Sequence, residues 1–219
     1  MKIYLLLIVV IVFSACTKTT KQETTYENGD IKEEYFVLKS DEEIKSGTYK
    51  RYYENRQLAE EANYVNNKLE GSRKFYNTSG QLEIEQTHHN DDFHGPYTTY
   101  YESGNKSSSG EYDKNFMVGV WKYYYDLPNT PIKEEIIYEN NMENGPFKEY
   151  YEEGQLKTEG FYKDEIEDGL LKEYDKNGNV IKEIFYENGR MKHYKEFDAE
   201  GKLIKEENYS EVWDGIEEE

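Results

Sequence analysis

The densest cluster of potential ligands in the sequence is "HHNDDFH", running from His88 to His94. Imidazoles and carboxylates at this density could hold zinc if three or four of them converged. Alternation along a strand sends His88 and His89 to opposite faces, and Asp91 and Asp92 fall in a turn, so convergence is not expected. A second stretch, "DKNGNVIKE" from Asp175 to Glu183, offers oxygen donors at Asp175, Asn177 and Asn179. It lacks the glycine at the sixth place and the glutamate at the twelfth that a calcium loop requires. The sequence contains neither a G-x-S-x-G elbow nor a glycine-rich phosphate loop, and Cys16 is the only thiol. No catalytic residue, metal site or cofactor is therefore expected, and the chain reads as a non-enzyme.

Tyrosine is the remaining chemical resource, with 23 Tyr and 9 Phe in 219 residues. Rows of tyrosine can stack on sugars or grip a peptide, because each ring offers area at small entropic cost and a hydroxyl for hydrogen bonding. Adjacent tyrosines on a strand point to opposite faces, which makes Tyr53, Tyr101, Tyr125 and Tyr151 a candidate binding row. The competing reading is that the rings are the only core available. Hydrophobic residues make up only 36% of the chain and its mean hydropathy is -1.05, so an aliphatic core is thin.

The elements that would position these rings recur. Gly47, Gly71, Gly95, Gly119, Gly145 and Gly169 are spaced by 24, 24, 24, 26 and 24 residues, the signature of a repeat architecture. Counted from each glycine, the sixth residue is always tyrosine, from Tyr52 to Tyr174. The third is large and mostly apolar (Tyr49, Tyr97, Trp121, Phe147 and Leu171), with Arg73 the exception. The eighteenth is aromatic (Tyr64, Tyr112, Tyr138, Tyr162 and Tyr186), with His88 standing in once.

Runs of about six residues separated by turn signals fit antiparallel hairpins better than helices. One set of turns lies near Gly80, Gly104, Gly154, Gly178 and Gly201; the other is polar connections such as "VNNKLEG", which places the spacing glycines at the bends. The two extra residues of the longer copy fall in "DLPNTP", Asp126 to Pro131, where prolines do no harm to a ladder. The expected fold is all-β, an elongated meander of about seven repeats and roughly fourteen strands, each hairpin leaning on the next.

The N-terminus is a separate object. Lys2, an apolar run from Ile3 to Phe13 and the small residues Ser14 and Ala15 precede Cys16, which is a signal-peptide pattern. The expected organisation is a signal at 1–16, a flexible tether at 17–25, a repeat domain at 26–215 and an acidic tail at 216–219. The net charge of -19 repels phosphate backbones, so nucleic acid is not an expected partner, whereas a basic protein is.

"FSAC", Phe13 to Cys16, resembles a bacterial lipoprotein lipobox, which implies lipidation of Cys16 and a place in the cell envelope. Thr17 after it resembles an outer-membrane sorting signal where the host is didermal. "GPFKEYYEEGQLKTEGFYKDEIEDG" (145–169), "GTYKRYYENRQLAEEANYVNNKLEG" (47–71) and "GVWKYYYD" resemble the bacterial variant of the MORN repeat, a family that includes YwqK-type antitoxin lipoproteins. The resemblance covers Tyr26 to Tyr209 and implies an antiparallel sheet used for protein or membrane contacts. The function expected from all of this is a lipid-anchored protein-binding scaffold, of antitoxin or immunity type in its sharpest form. The alternative is a cell-wall glycan-binding module using the tyrosine row.

Overall fold

The computed structural model describes residues 18–209. The expected signal segment, Cys16 and the acidic tail at 216–219 lie outside the described residues. Within them the chain is all-β: β1 (Thr19–Thr25), β2 (Ile31–Leu38), β3 (Asp41–Tyr52), β4 (Leu58–Val65), β5 (Lys68–Leu69), β6 (Gly71–Tyr76), β7 (Leu82–His89), β8 (Asp92–Tyr100), β9 (Lys106–Asp113), β10 (Phe116–Tyr124), β11 (Ile132–Glu139), β12 (Met142–Glu143), β13 (Gly145–Tyr150), β14 (Leu156–Lys163), β15 (Ile166–Glu167), β16 (Gly169–Tyr174), β17 (Val180–Glu187), β18 (Arg190–Phe197) and β19 (Leu203–Asn208). Pairing is antiparallel throughout one open sheet and runs between sequence neighbours, except that β6, β13 and β16 pair back to β4, β11 and β14 past the two-residue strands, so contacts are local.

Two corrections to the expected layout follow from the pairing. Thr19–Thr25, read as part of a tether, is a strand in register with β2, from Thr19 opposite Leu38 to Glu23 opposite Glu34. An edge strand needs only backbone bonds and favourable cross-strand partners, so its polarity is no obstacle. Lys21 supplies one such pair, with Nζ 2.6 Å from Glu34 and 2.7 Å from Glu23.

The second correction concerns the spacing glycines, which do not sit at the bends. The bends are the two-residue tips Asn66-Asn67, Asn90-Asp91, Lys114-Asn115, Asn140-Asn141, Asp164-Glu165 and Asn188-Gly189. Both residues of each tip have positive φ, the geometry of the hairpin turn whose twist matches that of its strands. The glycines come a few residues later, inside or at the first residue of a strand. Gly95 lies between Phe93, opposite His88, and Tyr97, opposite Gln86, so the two extra residues on its side form a bulge. A positive φ, 103° at Gly95 and 130° at Gly145, is what glycine supplies there. In three copies the bulge splits the strand, which is why β5, β12 and β15 are two-residue pieces and the strands number nineteen.

The core is a single row along one face of this sheet. Tyr49, Trp121, Phe147 and Leu171, all third in their repeats, are buried, as are Ala62, Ile136 and Ile184 opposite them. Rings at the eighteenth place roof the row. Tyr49 meets Tyr64 at 5.7 Å between centroids, Phe147 meets Tyr162 at 4.4 Å, and Trp121 meets both Tyr112 at 5.3 Å and Tyr138 at 6.2 Å. Volumes are traded across the pairs, with Gly110 opposite Tyr97 and Gly160 opposite Phe147, so large rings lie over absent side chains. The insertion "DLPNTP" lies between β10 and β11, in the turn, and leaves the flanking register intact.

Candidate functional site

The candidate tyrosine row is used by the fold. The hydroxyl of Tyr53 donates to the backbone carbonyl of Tyr76 at 2.8 Å, Tyr101 to Tyr124 at 2.8 Å, Tyr125 to Tyr150 at 2.8 Å and Tyr151 to Tyr174 at 2.7 Å. Tyr26 does the same to Tyr52 at 2.7 Å. Each half-buried ring thus ties its own turn to the next repeat. The second repeat has Asn77 in place of this tyrosine, and there Gln81 reaches the carbonyl of Glu102 through Nε2 at 2.9 Å. The four residues are therefore inter-repeat ties, and their hydroxyls are already paired.

A second set of ties on the opposite margin was not read from the sequence. The side-chain oxygen of Asn67 accepts from the N–H of Lys45 at 2.6 Å, Asp91 from Leu69 at 2.8 Å, Asn115 from Phe93 at 2.8 Å and Asn141 from Met117 at 2.7 Å. The N–H of each of these residues donates back to the carbonyl of the same partner, at 2.8 to 3.2 Å. Asn and Asp tolerate the positive φ at the tip and carry the acceptor that closes the clip. The signal was present as Asn or Asp recurring at the fourth residue before Gly71, Gly95, Gly119 and Gly145, with Glu43 and Glu165 in that place before Gly47 and Gly169.

The sixth-place tyrosines lie on the other face of the sheet from the core row. Tyr150 donates to Glu135 at 2.9 Å and Tyr174 to Glu159 at 2.6 Å. Burial and these carboxylates push both phenols up to about 12, and burial does the same at Tyr162. Tyr49 and Tyr138 are also raised, by burial first and then by hydrogen bonding. None of these hydroxyls is a general base; each is held protonated.

The His88 cluster does not converge. His88 is buried on the core face, with Nε2 2.9 Å from Nε2 of Gln86 and Nδ1 3.0 Å from the carbonyl of Asp91. The carbonyl can only accept, so Nδ1 carries the proton and Nε2 receives the amide N–H. His89 turns away to Glu70 at 3.0 Å, and His94 to Asp113 at 3.1 Å. Among the described residues no group of three His, Cys, Asp or Glu side chains is placed to hold a metal ion. In "DKNGNVIKE", Asp175 accepts from the N–H groups of Asn177 and Asn179 at 2.8 and 2.9 Å, closing a repeat turn.

Arg73, the exception at the third place, is explained by Glu60. This buried carboxylate takes Arg73 at 2.7 Å and Arg51 at 3.2 Å, so an ion cluster fills the volume that an aromatic ring fills elsewhere. Farther along, Glu134 faces Glu149 across the pairing, and burial with that neighbouring charge raises its carboxyl above the ordinary range.

The face away from the core carries a ladder of ion pairs, fourth-place lysines against fifteenth-place glutamates: Lys74–Glu85 at 3.0 Å, Lys122–Glu135 at 3.0 Å and Lys172–Glu183 at 3.7 Å. Next to the ladder stand the pairs formed by the second and seventeenth residues. They are polar early in the chain, Thr48 opposite Asn63 and Ser72 opposite Thr87. Later they are apolar: Val120 opposite Ile137, Pro146 opposite Phe161 and Leu170 opposite Phe185.

The fold and its ties define a repeat scaffold of antiparallel hairpins, clipped at both margins. A family model for the MORN repeat variant matches residues 45–66, 69–90, 93–114, 143–164, 167–188 and 192–211. With more than half of its residues in those stretches, the chain belongs to that family, whose members are non-catalytic repeat scaffolds associated with protein and membrane contacts. The unmatched stretch between 114 and 143 holds the copy with the insertion, and its strands, turn clip and tyrosine tie follow the others. No curated protein matches the chain.

Proposed function

We propose that this protein is a non-enzymatic scaffold, anchored in a bacterial envelope through lipidated Cys16, that binds another protein along the charged face of its sheet. The observation that carries the reading is the allocation of surface. One face is closed by its own aromatic row, and both margins are engaged in inter-repeat bonds. The charged face is what remains for a partner, and a repeat array offers it as one extended platform. Family membership and the lipobox-like "FSAC" support the same reading. An antitoxin or immunity role is its sharper form, in which the net charge of -19 matches a basic toxin. The glycan alternative would have to use ring faces and phenol oxygens as acceptors, because the hydroxyl protons of Tyr53, Tyr101, Tyr125 and Tyr151 are already given to backbone carbonyls.

The test is crosslinking in the native host with a photoreactive phenylalanine at Thr48, Thr87, Phe161 or Phe185, read by mass spectrometry. A defined protein trapped from this face supports the scaffold. Peptidoglycan fragments trapped instead, or no protein from any of the four sites, would sink it. Metabolic labelling with a clickable fatty acid, lost on Cys16→Ser, tests the anchor.

A further inference from the structure

We propose that the charged face of residues 116–188 is a docking site for a cationic amphipathic helix of a partner protein. This deepens the scaffold reading above and rests on it. Val120, Phe161, Leu170 and Phe185 are 49%, 42%, 46% and 44% exposed on that face. Large apolar side chains left this open on neighbouring strands mark an interaction surface more often than isolated ones do.

Three features make the patch a built surface. It is continuous, because Pro146, Phe161 and Leu170, from two successive repeats, line one shallow depression of about 200 Å³ together with Lys148, Glu159 and Lys172. It is two rows wide. The pairing that puts Phe161 on this face also puts Ile166 there, since Ile166 lies opposite Lys163, two residues beyond Phe161. Phe116, Met142 and Ile166 occupy equivalent places just after three successive turn tips, at 46%, 42% and 47% exposure. It is also largely local, because those places hold Lys68 and Asp92 in the earlier repeats, beside Thr48, Asn63, Ser72 and Thr87, with Val65 opposite Lys68 the exposed apolar exception. The fold is the same in both halves, so the apolar choice in one half is not demanded by the fold.

Geometry and charge then select the occupant. Successive repeats are two strands apart, so the apolar pairs recur about every 10 Å across the sheet. Seven residues of α-helix also advance about 10 Å, so anchors at i, i+7 and i+14 meet the pairs of Val120, Pro146 and Leu170 in turn. A helix about 10 Å wide covers both rows, whereas an extended peptide covers one. The rim is acidic on balance, with Asp164, Glu165 and Asp168 beside Ile166 and Glu187 at the next tip, against Lys163 opposite Ile166. It repels anionic lipid headgroups and attracts Lys and Arg flanking an apolar stripe.

The test uses residues 17–219, without the anchor cysteine, and an 18-residue helical peptide with a leucine stripe and lysine elsewhere. Its controls are a scrambled peptide of the same composition, a leucine–glutamate version, and vesicles of zwitterionic or mixed anionic lipid. The variant combines Phe161→Ser, Leu170→Ser and Phe185→Thr, and circular dichroism verifies its sheet. A second variant, Val120→Thr with Ile166→Thr, serves if the first does not fold. The proposal expects the lysine peptide to bind and to weaken at least tenfold on either variant. It expects no change with Thr48→Ala, Ser72→Ala and Thr87→Ala together. Equal binding of the scrambled peptide, equal binding by the variants, preference for vesicles, or self-association of the chain through the same residues would each overturn it. None of these results bears on the scaffold reading, which stands or falls on what is trapped in the cell.

Discussion

Gly110→Ala is a test of how the aromatic row is packed. Gly110 has no left-handed backbone to protect, so the substitution probes space alone. A methyl group there would lie 2.2 Å from Cδ2 of Trp121, 2.3 Å from Cε2 and 2.6 Å from Cγ. Ordinary contact begins near 3.4 Å, so the indole would have to retreat by roughly 1.2 Å. It has nowhere to go, being 3% exposed and hemmed in by Tyr97, Tyr112 and Tyr138 at 5.8, 5.3 and 6.2 Å. Overpacking of this kind costs about 1 to 3 kcal/mol. For a chain of this size that lowers Tm by roughly 2 to 12 °C. Thermal and denaturant unfolding, followed by far-ultraviolet circular dichroism, gives the measurement. Trp121→Leu in the same background should relieve the clash, so the double variant should lose at least about 1 kcal/mol less than the two single losses combined. Ala62 already sits opposite Tyr49, so alanine is not in itself unwelcome at that place. An unchanged melt for Gly110→Ala, or strict additivity with Trp121→Leu, would refute the packing argument.

Replacing Tyr53, Tyr101, Tyr125 and Tyr151 together by Phe removes four inter-repeat ties of about 1 kcal/mol each, and chemical denaturation should show a loss of about 4 kcal/mol; a loss below about 1 kcal/mol would make the ties incidental. Glu60→Ala leaves Arg51 and Arg73 without their buried partner and should cost about 3 kcal/mol, far more than Lys74→Ala on the exposed ladder. The phenols of Tyr150, Tyr162 and Tyr174 are held near 12 in the fold, above the ordinary 10 of the unfolded chain. Their stabilisation is complete below pH 10 and is lost as pH rises toward 12, so ultraviolet phenolate titration should coincide with unfolding over that window, and full titration near pH 10 with the sheet intact would be the contrary result. Glu134 has its carboxyl raised in the fold, so its contribution is greatest below the unfolded value and falls as pH rises; Glu134→Gln should raise Tm at pH 7 and change little at pH 3.

The period and the aromatic positions were legible because a sheet with one buried face repeats its large residues at fixed places. Tyr49, Trp121, Phe147 and Leu171 could be named as the row without coordinates. Arg73 could be seen as an exception but not explained, since its partner Glu60 lies in the preceding repeat and only the pairing brings them together. The bends were misplaced because glycine marks both turns and bulges with the same positive φ, and the tips here are carried mostly by Asn and Asp, with a glycine only at Gly189. Thr19–Thr25 was hidden because an edge strand needs no apolar alternation. The tyrosine row was visible as a row, but whether a hydroxyl faces solvent or the next repeat's carbonyl depends on the offset between repeats, which spacing does not give.

The account rests on repeats that are bonded to one another at their turns as well as along their strands. Amide hydrogen exchange at the tips Asn67, Asp91, Asn115, Asn141 and Glu165 tests this most directly, because each N–H donates to a carbonyl of the preceding repeat at 2.8 to 3.2 Å. Protection at these tips comparable to that of the adjoining strands is the predicted result. Exchange at the rate of free loops, with the strands still protected, would contradict it.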